Sequence, residues 1–371
     1  MEPQEKIEPK NSIASFRQSE SVIEIVPTIR NESVILIVPT FQNEPKEQTA
    51  PLHMSEPEGM TAPLPRSEPK AQTAPRNLSE NWGTRFRRTI IASPGCWLVK
   101  FDYKSFHAMM MGFLARDLTY MRLARMDIHS FIASHMVGNP ADLEWSDPDL
   151  RGYLKEIRAE FPEIRNRNAK AAILGWQLGM EGGTLQKNNK DIYPKRKNAD
   201  AALELIDSLF QPCVRYREDK IMQAHKQGFL LSTYGYLRWF WDVYKICPNC
   251  HYRNREKCSR CRGLGLVIGE EAKEAISHDV QSNSHGHLKD AMLELHRQGL
   301  DEEGRLINQV HDDLQFDMEG EKIDTLVPRI KEILEYPNPR LVDSISAPQG
   351  LSIQVEVKIG ANLADMEEVK I

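Results

Sequence analysis

Proline recurs at twelve-residue intervals through the N-terminal part of the chain, at Pro27, Pro39, Pro51, Pro63 and Pro75. Glu20, Glu32, Glu44, Glu56 and Glu68 keep a second phase of the same period. Each proline removes a backbone N–H and locks φ, so neither a continuous helix nor an interior strand can run through these units. The later units, "EPKEQTAPLHMS" and "EPEGMTAPLPRS", hold too few apolar residues to offset the entropy of ordering them. Residues 1–80 are therefore expected to be mostly disordered, a spacer, with residues 81–371 supplying the folded part. The first two units carry Val22, Ile23, Ile25 and Val26, then an apolar run from Val34 to Val38, and a short strand or docking peptide is the alternative there.

The chain has 371 residues, 40% of them hydrophobic, enough for one large or two modest domains. No apolar run is long enough to cross a bilayer, and "MEPQEKIEPK" lacks the basic-then-apolar pattern of a secretory signal. The expectation is a soluble, cytoplasmic protein of a bacterial or phage-infected cell, with no membrane partner. Its six cysteines then stay reduced, and metal binding outranks disulfides. A net charge of −5 excludes a uniformly basic nucleic-acid coat but leaves room for local basic patches.

One such patch coincides with the most specific local motif. "CPNCHYRNREKCSRC" places Cys247, Cys250, Cys258 and Cys261 as C-x2-C-x7-C-x2-C, two knuckles that can surround one Zn²⁺; free buried thiols are the alternative. Arg253, Arg255, Lys257, Arg260 and Arg262 are interleaved, so the module, residues 244–266, is either a phosphate-touching element or a purely structural clip. Cys96 and Cys213 have no such spacing and are expected in the core.

A different charge concentration lies in "NQVHDDLQFDM". Leu306, Asn308 and Val310 lead in and Leu314, Phe316 and Met318 lead out at period two, which reads as a hairpin with Asp312 and Asp313 at its tip. Adjacent carboxylates raise each other's pKa unless a positive group intervenes. A solvated polar turn is the ordinary explanation, so a partner is required. "GCWLVKFDYKSFHAMMMGFLARD" supplies one: a strand with Trp97, Val99 and Phe101 on one face, Asp102 at its end, then an apolar helix from Phe106 to Leu114. Asp102 and Asp312 together suit two Mg²⁺ ions. A third element, "IRNRNAKAAILGWQLG", sets Asn166, Lys170, Leu174 and Leu178 along one helix face, a cation below an apolar stripe; a basic amphipathic surface helix has the same pattern.

The order of these elements resembles the family A DNA polymerases, over roughly residues 85–365. The resemblance implies an α+β right-hand fold, with an antiparallel palm sheet, helical fingers over about residues 120–228 and the zinc ribbon as an insertion. "FDYKSFHAMMMGFLARD" is similar to the first palm motif, with Asp102 as metal ligand assisted by the Tyr103 carbonyl. "DIHSF" places His129 on the nucleotide's phosphates, and "RNAKAAILGWQLG" does so for Lys170. "STYGYLRWFW", with Arg238, and Gln281 in "ISHDVQSNSHGHLKDAM" resemble the DNA-contacting stretch and helix. "QVHDDL" is similar to the third motif, with His311 near the primer end, Asp312 as second metal ligand, and Asp313, assisting, where glutamate is usual. "LSIQVEVKIGANL" resembles the closing strand.

The departures matter. Asn166 replaces the arginine usually found four residues before the lysine, leaving Arg165 or Arg167 to serve. Leu174 and Leu178 occupy aromatic positions, which weakens stacking on the incoming base. His107 stands where DNA-making members have a glutamate that blocks the ribose 2′-hydroxyl. No stretch resembles the thumb or a proofreading exonuclease, so a protein partner supplying thumb or clamp function is expected. The reading is template-directed DNA synthesis from deoxynucleoside triphosphates on a DNA primer-template, with two Mg²⁺ and one Zn²⁺. A single-subunit RNA polymerase and a non-catalytic nucleic-acid-binding relative are the alternatives.

Overall fold

The computed structural model describes residues 82–261 and 263–369, so the expectations for residues 1–80 lie outside the described residues. The chain forms β1 (Cys96–Tyr103), then two short hairpins, β2 (Phe229–Leu231) with β3 (Leu237–Trp239) and β4 (Tyr244–Ile246) with β5 (Leu266–Ile268). Strands β6 (Leu306–Val310), β7 (Asp313–Glu319), β8 (Val355–Gly360) and β9 (Glu367–Val369) follow. With β1 they make one five-stranded sheet in the order β6-β7-β1-β8-β9, antiparallel throughout. This is the α+β architecture with an antiparallel palm sheet expected above.

Period-two alternation decides which face of the sheet is buried. Val99, Phe101 and Tyr103 of β1, Leu314 and Phe316 of β7, and Val355 and Val357 of β8 belong to one core cluster. Phe101 meets Phe316 edge-on at 5.4 Å between ring centroids. The helices Phe106–Leu114, Glu271–Arg297 and Ile323–Glu335 contribute to the same core. Lys100 and Asp102 project from the opposite face, because they alternate with Val99 and Phe101. The long helix approaches Tyr234 so closely that a Cβ on Gly286 would stand 2.3 Å from its ring.

Between β1 and β2 the chain is helical. Asp117 and Asp127 each accept a backbone N–H of the helix they precede, from Tyr120 at 2.9 Å and Ser130 at 3.1 Å, and Ser146 does so for a third. Trp176, at 1% exposure, anchors Lys170–Gln177 against Tyr120 and Phe210. Its indole donates to Asp207 at 2.6 Å. That anchorage turns Lys170, Leu174 and Leu178 outward, and all three are exposed. Cys213 is buried, as expected, with its thiol near Asp117, whereas Cys96 is only half-buried at the start of β1 beside Arg305. Among the described residues, no helix is long and apolar enough to cross a membrane.

Candidate active site

The antiparallel register sets Asp102 of β1 opposite Asp313 of β7 on one side and Glu356 of β8 on the other. His311, at φ 55°, turns the β6–β7 hairpin, and the Asp312 carbonyl accepts the Tyr103 N–H at 3.4 Å. Three aspartates thus meet at one end of the sheet. Burial first, then the Asp102 charge, raises the Asp312 carboxyl above its ordinary pKa.

The group that holds these charges together is Lys100, which the sequence reading missed. Its Nζ lies 3.0 Å from Asp102 Oδ2 and 2.7 Å from Asp313 Oδ2. Burial disfavours this ammonium, but the hydrogen bonds and charges of Asp313 and Asp102 outweigh it and raise its pKa. The available signal was the i, i+2 spacing of Lys100 and Asp102, which puts both on one face of a strand. Gln315 Nε2 donates to the other Asp313 oxygen at 2.8 Å. Asp102, Asp312 and Asp313 present carboxylate oxygens, with their charge partly neutralised by Lys100, and hard oxygen donors are the chemistry that suits a divalent ion such as Mg²⁺.

A cavity of about 490 Å³ opens from this end of the sheet toward the helices. Asp102 and Tyr103 line one wall, while His129, Arg165, Arg125, Arg151 and Arg158 line the other. Burial, reinforced by Arg165 and Lys170 against the opposing pull of Asp127, pushes His129 down to about 4, so the ring is neutral near pH 7. Arg125, Arg151 and Arg158 have no hydrogen-bond or ion-pair partner among the described residues. They were not singled out from the sequence, since arginines on amphipathic helices look like ordinary solvated faces until a cavity collects them.

A π-helical turn over Ile164–Ala169 sends Arg165 and Arg167 to different surroundings. There the Lys170 N–H bonds to the Arg165 carbonyl, so the residue five back takes the place that the residue four back has in an α-helix. Arg165 faces the cavity, and its guanidinium grips Asp127 at 2.9 and 3.0 Å. Arg167 instead pairs with Asp191 and Glu163, and neither it nor Lys170 lines the cavity. Asn166 accepts from Arg165 at 2.6 Å. The single α-helical face expected for Asn166, Lys170, Leu174 and Leu178 is therefore interrupted before Lys170.

Other expected site residues distribute as follows. The Tyr103 side chain points back into the core, where its hydroxyl donates to the Leu334 carbonyl at 2.9 Å, leaving only its backbone for the site. His107 is exposed, unlike its buried neighbours Phe106 and Ala108, and senses the charges of Asp312 and His311. Desolvation by the surrounding protein lowers its pKa, against the opposing charge of Asp312. Gln281 is exposed on the long helix. Arg238 on β3 pairs with Glu274 and lies over the Phe240 ring.

The four ribbon cysteines bring their Sγ atoms within 4.8 Å of one another. Cys247 and Cys258 are 3.8 Å apart, and Cys250 and Cys261 3.6 Å. A tetrahedron with Zn–S bonds near 2.3 Å has edges of about 3.8 Å, so the thiols fit one zinc ion. Left-handed backbone at His251, Tyr252, Asn254, Gly263 and Gly265 folds the two knuckles inward.

The model of DNA polymerase family A matches residues 39–365. The chain belongs to this family. Its relatives include DNA polymerase I of Pseudomonas aeruginosa, 24% identical over 286 residues, a match covering 76% of this chain and 26% of that protein. The thermostable DNA polymerase I of Thermus aquaticus is 26% identical over 289 residues, covering 77% of this chain and 29% of the relative. The chain thus spans under a third of the length of these family A relatives. The POL domain of Pol1 from M. smegmatis, solved in complex with DNA primer-template and dNTP, shares the fold at a TM-score of 0.54 and 21% identity, covering 76% of this chain and 42% of that one.

Proposed function

We propose that this family A chain is a DNA-directed DNA polymerase that extends a primer 3′-hydroxyl on a DNA template. The observation that carries the reading is the single cavity shared by Asp102 at the end of β1 and a wall of cationic helix side chains. In the reaction, the primer 3′-oxygen bonds to the α-phosphorus of the nucleotide while the bond from that phosphorus to the α–β bridging oxygen breaks. Pyrophosphate leaves and the hydroxyl proton passes to solvent. Charge spreads over phosphoryl oxygens as this happens, so positioned cations carry most of the stabilisation.

Asp102 and Asp312 hold the two Mg²⁺ ions, with the Tyr103 carbonyl and Asp313 assisting. Those ions supply a more acidic attacking hydroxyl and a neutralised leaving group. Arg165, Lys170 and His129 take the triphosphate, backed by Arg125, Arg151 and Arg158. Leu174 and Leu178, both exposed, form the apolar rest for the base. Gln281, Arg238 and His311 contact the primer-template, and the ribbon cysteines hold one Zn²⁺.

His107 stands beside the nucleotide sugar. An imidazole can donate as well as accept, so it excludes a 2′-hydroxyl less strictly than a packed carboxylate. The test is primer extension by the purified chain with Mg²⁺ and matched deoxy- and ribonucleotides. Deoxynucleotides should be preferred, with His107→Glu sharpening the preference and His107→Ala relaxing it. No extension with either sugar would overturn the polymerase reading, and equal discrimination by the Ala variant would remove His107 as the gate.

A further inference from the structure

An aromatic ledge stands at the root of the zinc ribbon. Trp239 ends β3 and Trp241 follows it. Their rings stack at 6.0 Å and 16°, and Phe229 of β2 braces Trp239 edge-on at 5.3 Å. Trp239 is 53% exposed and Trp241 82%. Large apolar rings are seldom left this open unless something covers them. The ledge is also held in place, because both the Trp241 and Asp242 backbone N–H groups donate to the Glu271 carboxylate. Glu274, the next acid nearby, is occupied by Arg238. Asp242 remains as the open carboxylate beside the ledge.

The ribbon leaves the fold immediately after the ledge and returns at Gly269, whose N–H bonds to the Val243 carbonyl at 2.8 Å. Residues 244–269 contain six lysines and arginines against one glutamate, in a chain whose net charge is −5. Four thiolates and one Zn²⁺ subtract two charges, and the surplus stays positive. Arg255 lies over the Tyr252 ring, a second aromatic surface within the ribbon.

We propose that this ledge and ribbon form a binding site for single-stranded DNA, separate from the catalytic cavity. Bases stack on Trp241 and Trp239 while Arg253, Arg255, Lys257 and Arg260 hold the phosphates. Stacking faces beside a concentration of positive charge match a single strand, whose bases are free to leave one another; a duplex presents phosphates but no free base faces. That the strand is DNA rests on the polymerase reading, whereas the aromatic and cationic chemistry does not.

The test uses the full zinc-loaded chain, with fluorescence anisotropy of a labelled oligo(dT) strand and of a blunt hairpin duplex, and with quenching of intrinsic tryptophan emission. Oligo(dT) should quench the emission. Trp241→Ala should weaken oligo(dT) binding by about tenfold or more, and Trp241→Phe should restore most of it. Duplex binding should be unchanged in both variants. Replacing Arg253 and Arg255 with Gln should flatten the salt dependence of single-strand binding. Unchanged oligo(dT) affinity in Trp241→Ala, or an equal loss on the duplex, would overturn the proposal, the first leaving the ledge to a protein partner. Primer extension separates the two readings. An unaltered chain that binds oligo(dT) through the ledge but never extends a primer would sink the polymerase reading and keep the site, whereas extension with tryptophan-independent binding would sink only the site.

Discussion

The two walls of the candidate active site are positioned by different kinds of register. The carboxylate wall is the end of a sheet, where Asp102 faces Asp313 through backbone pairing that runs from Cys96↔Glu319 without a break. The cationic wall is built from helices, and one of them carries a π-turn that shifts Arg165 into the place where Asn166 would otherwise stand. A one-residue slip in the strand would move Asp102 into the core and Phe101 into water, which burial forbids. A one-residue shift in the turn around residues 165–168 exchanges polar side chains for polar side chains and costs less. The sheet wall is therefore rigidly specified, while the helix wall tolerates rearranged arginines.

The largest effects should come from the sheet wall. If Asp312 holds a metal as proposed, Asp312→Asn should cost extension on the order of 10³-fold or more, since losing a metal ligand removes several kcal/mol of transition-state stabilisation. Asp313→Asn should cost less, because it assists and because Lys100 still pairs with Asp102. Single-turnover incorporation measures both, and a larger loss for Asp313 would reverse their roles.

On the helix wall the effects should be smaller and should separate the two arginines. Arg165→Gln removes a charge-assisted contact, about 1.5–3 kcal/mol, and should raise the nucleotide KM by about tenfold or more. Arg167→Gln should leave KM unchanged, because its guanidinium is paired with Asp191 and Glu163 outside the cavity. The opposite ranking in steady-state kinetics would show that the π-turn does not persist with nucleotide bound.

This contrast also explains what was legible in the sequence. The β6–β7 hairpin, the helix from Phe106 to Leu114 and the cysteine knuckles could be read because period two, apolar runs and ligand spacing each reflect one strong constraint. Lys100 was missed because a lysine in a strand ordinarily faces water, and only the register shows it between two aspartates. Arg125 lies on the helix Leu118–Met126 while Arg151 and Arg158 lie two turns apart on the helix Asp147–Glu160, and the meeting of these two helices at one cavity is a tertiary fact with no local signature. Arg165 was legible as a candidate but not as the choice over Arg167, since no pattern in "IRNRNAK" announces a π-turn.

The smallest effect is on pH dependence. Burial and neighbouring cations hold His129 at about 4, against an ordinary 6.5. Below about 6.5 the unfolded chain binds a proton here that the folded chain refuses, so stability is lost as pH falls from there toward about 4. His287, buried and likewise pushed down to about 4, acts in the same direction. His129→Gln should therefore remove part of the acid-side loss, seen as a smaller drop in denaturation midpoint between neutral and mildly acidic buffer. An unchanged drop would mean that His129 protonates freely in the folded chain.

On the proposed reading, the sheet wall performs nucleotidyl transfer while DNA binding draws on contacts elsewhere. Rapid-mixing primer extension by Asp102→Asn, with primer-template affinity measured on the same preparation, tests it most directly. Incorporation should fall on the order of 10³-fold or more while affinity for the primer-template is unchanged. Incorporation near the unaltered rate, with DNA bound equally well, would contradict it.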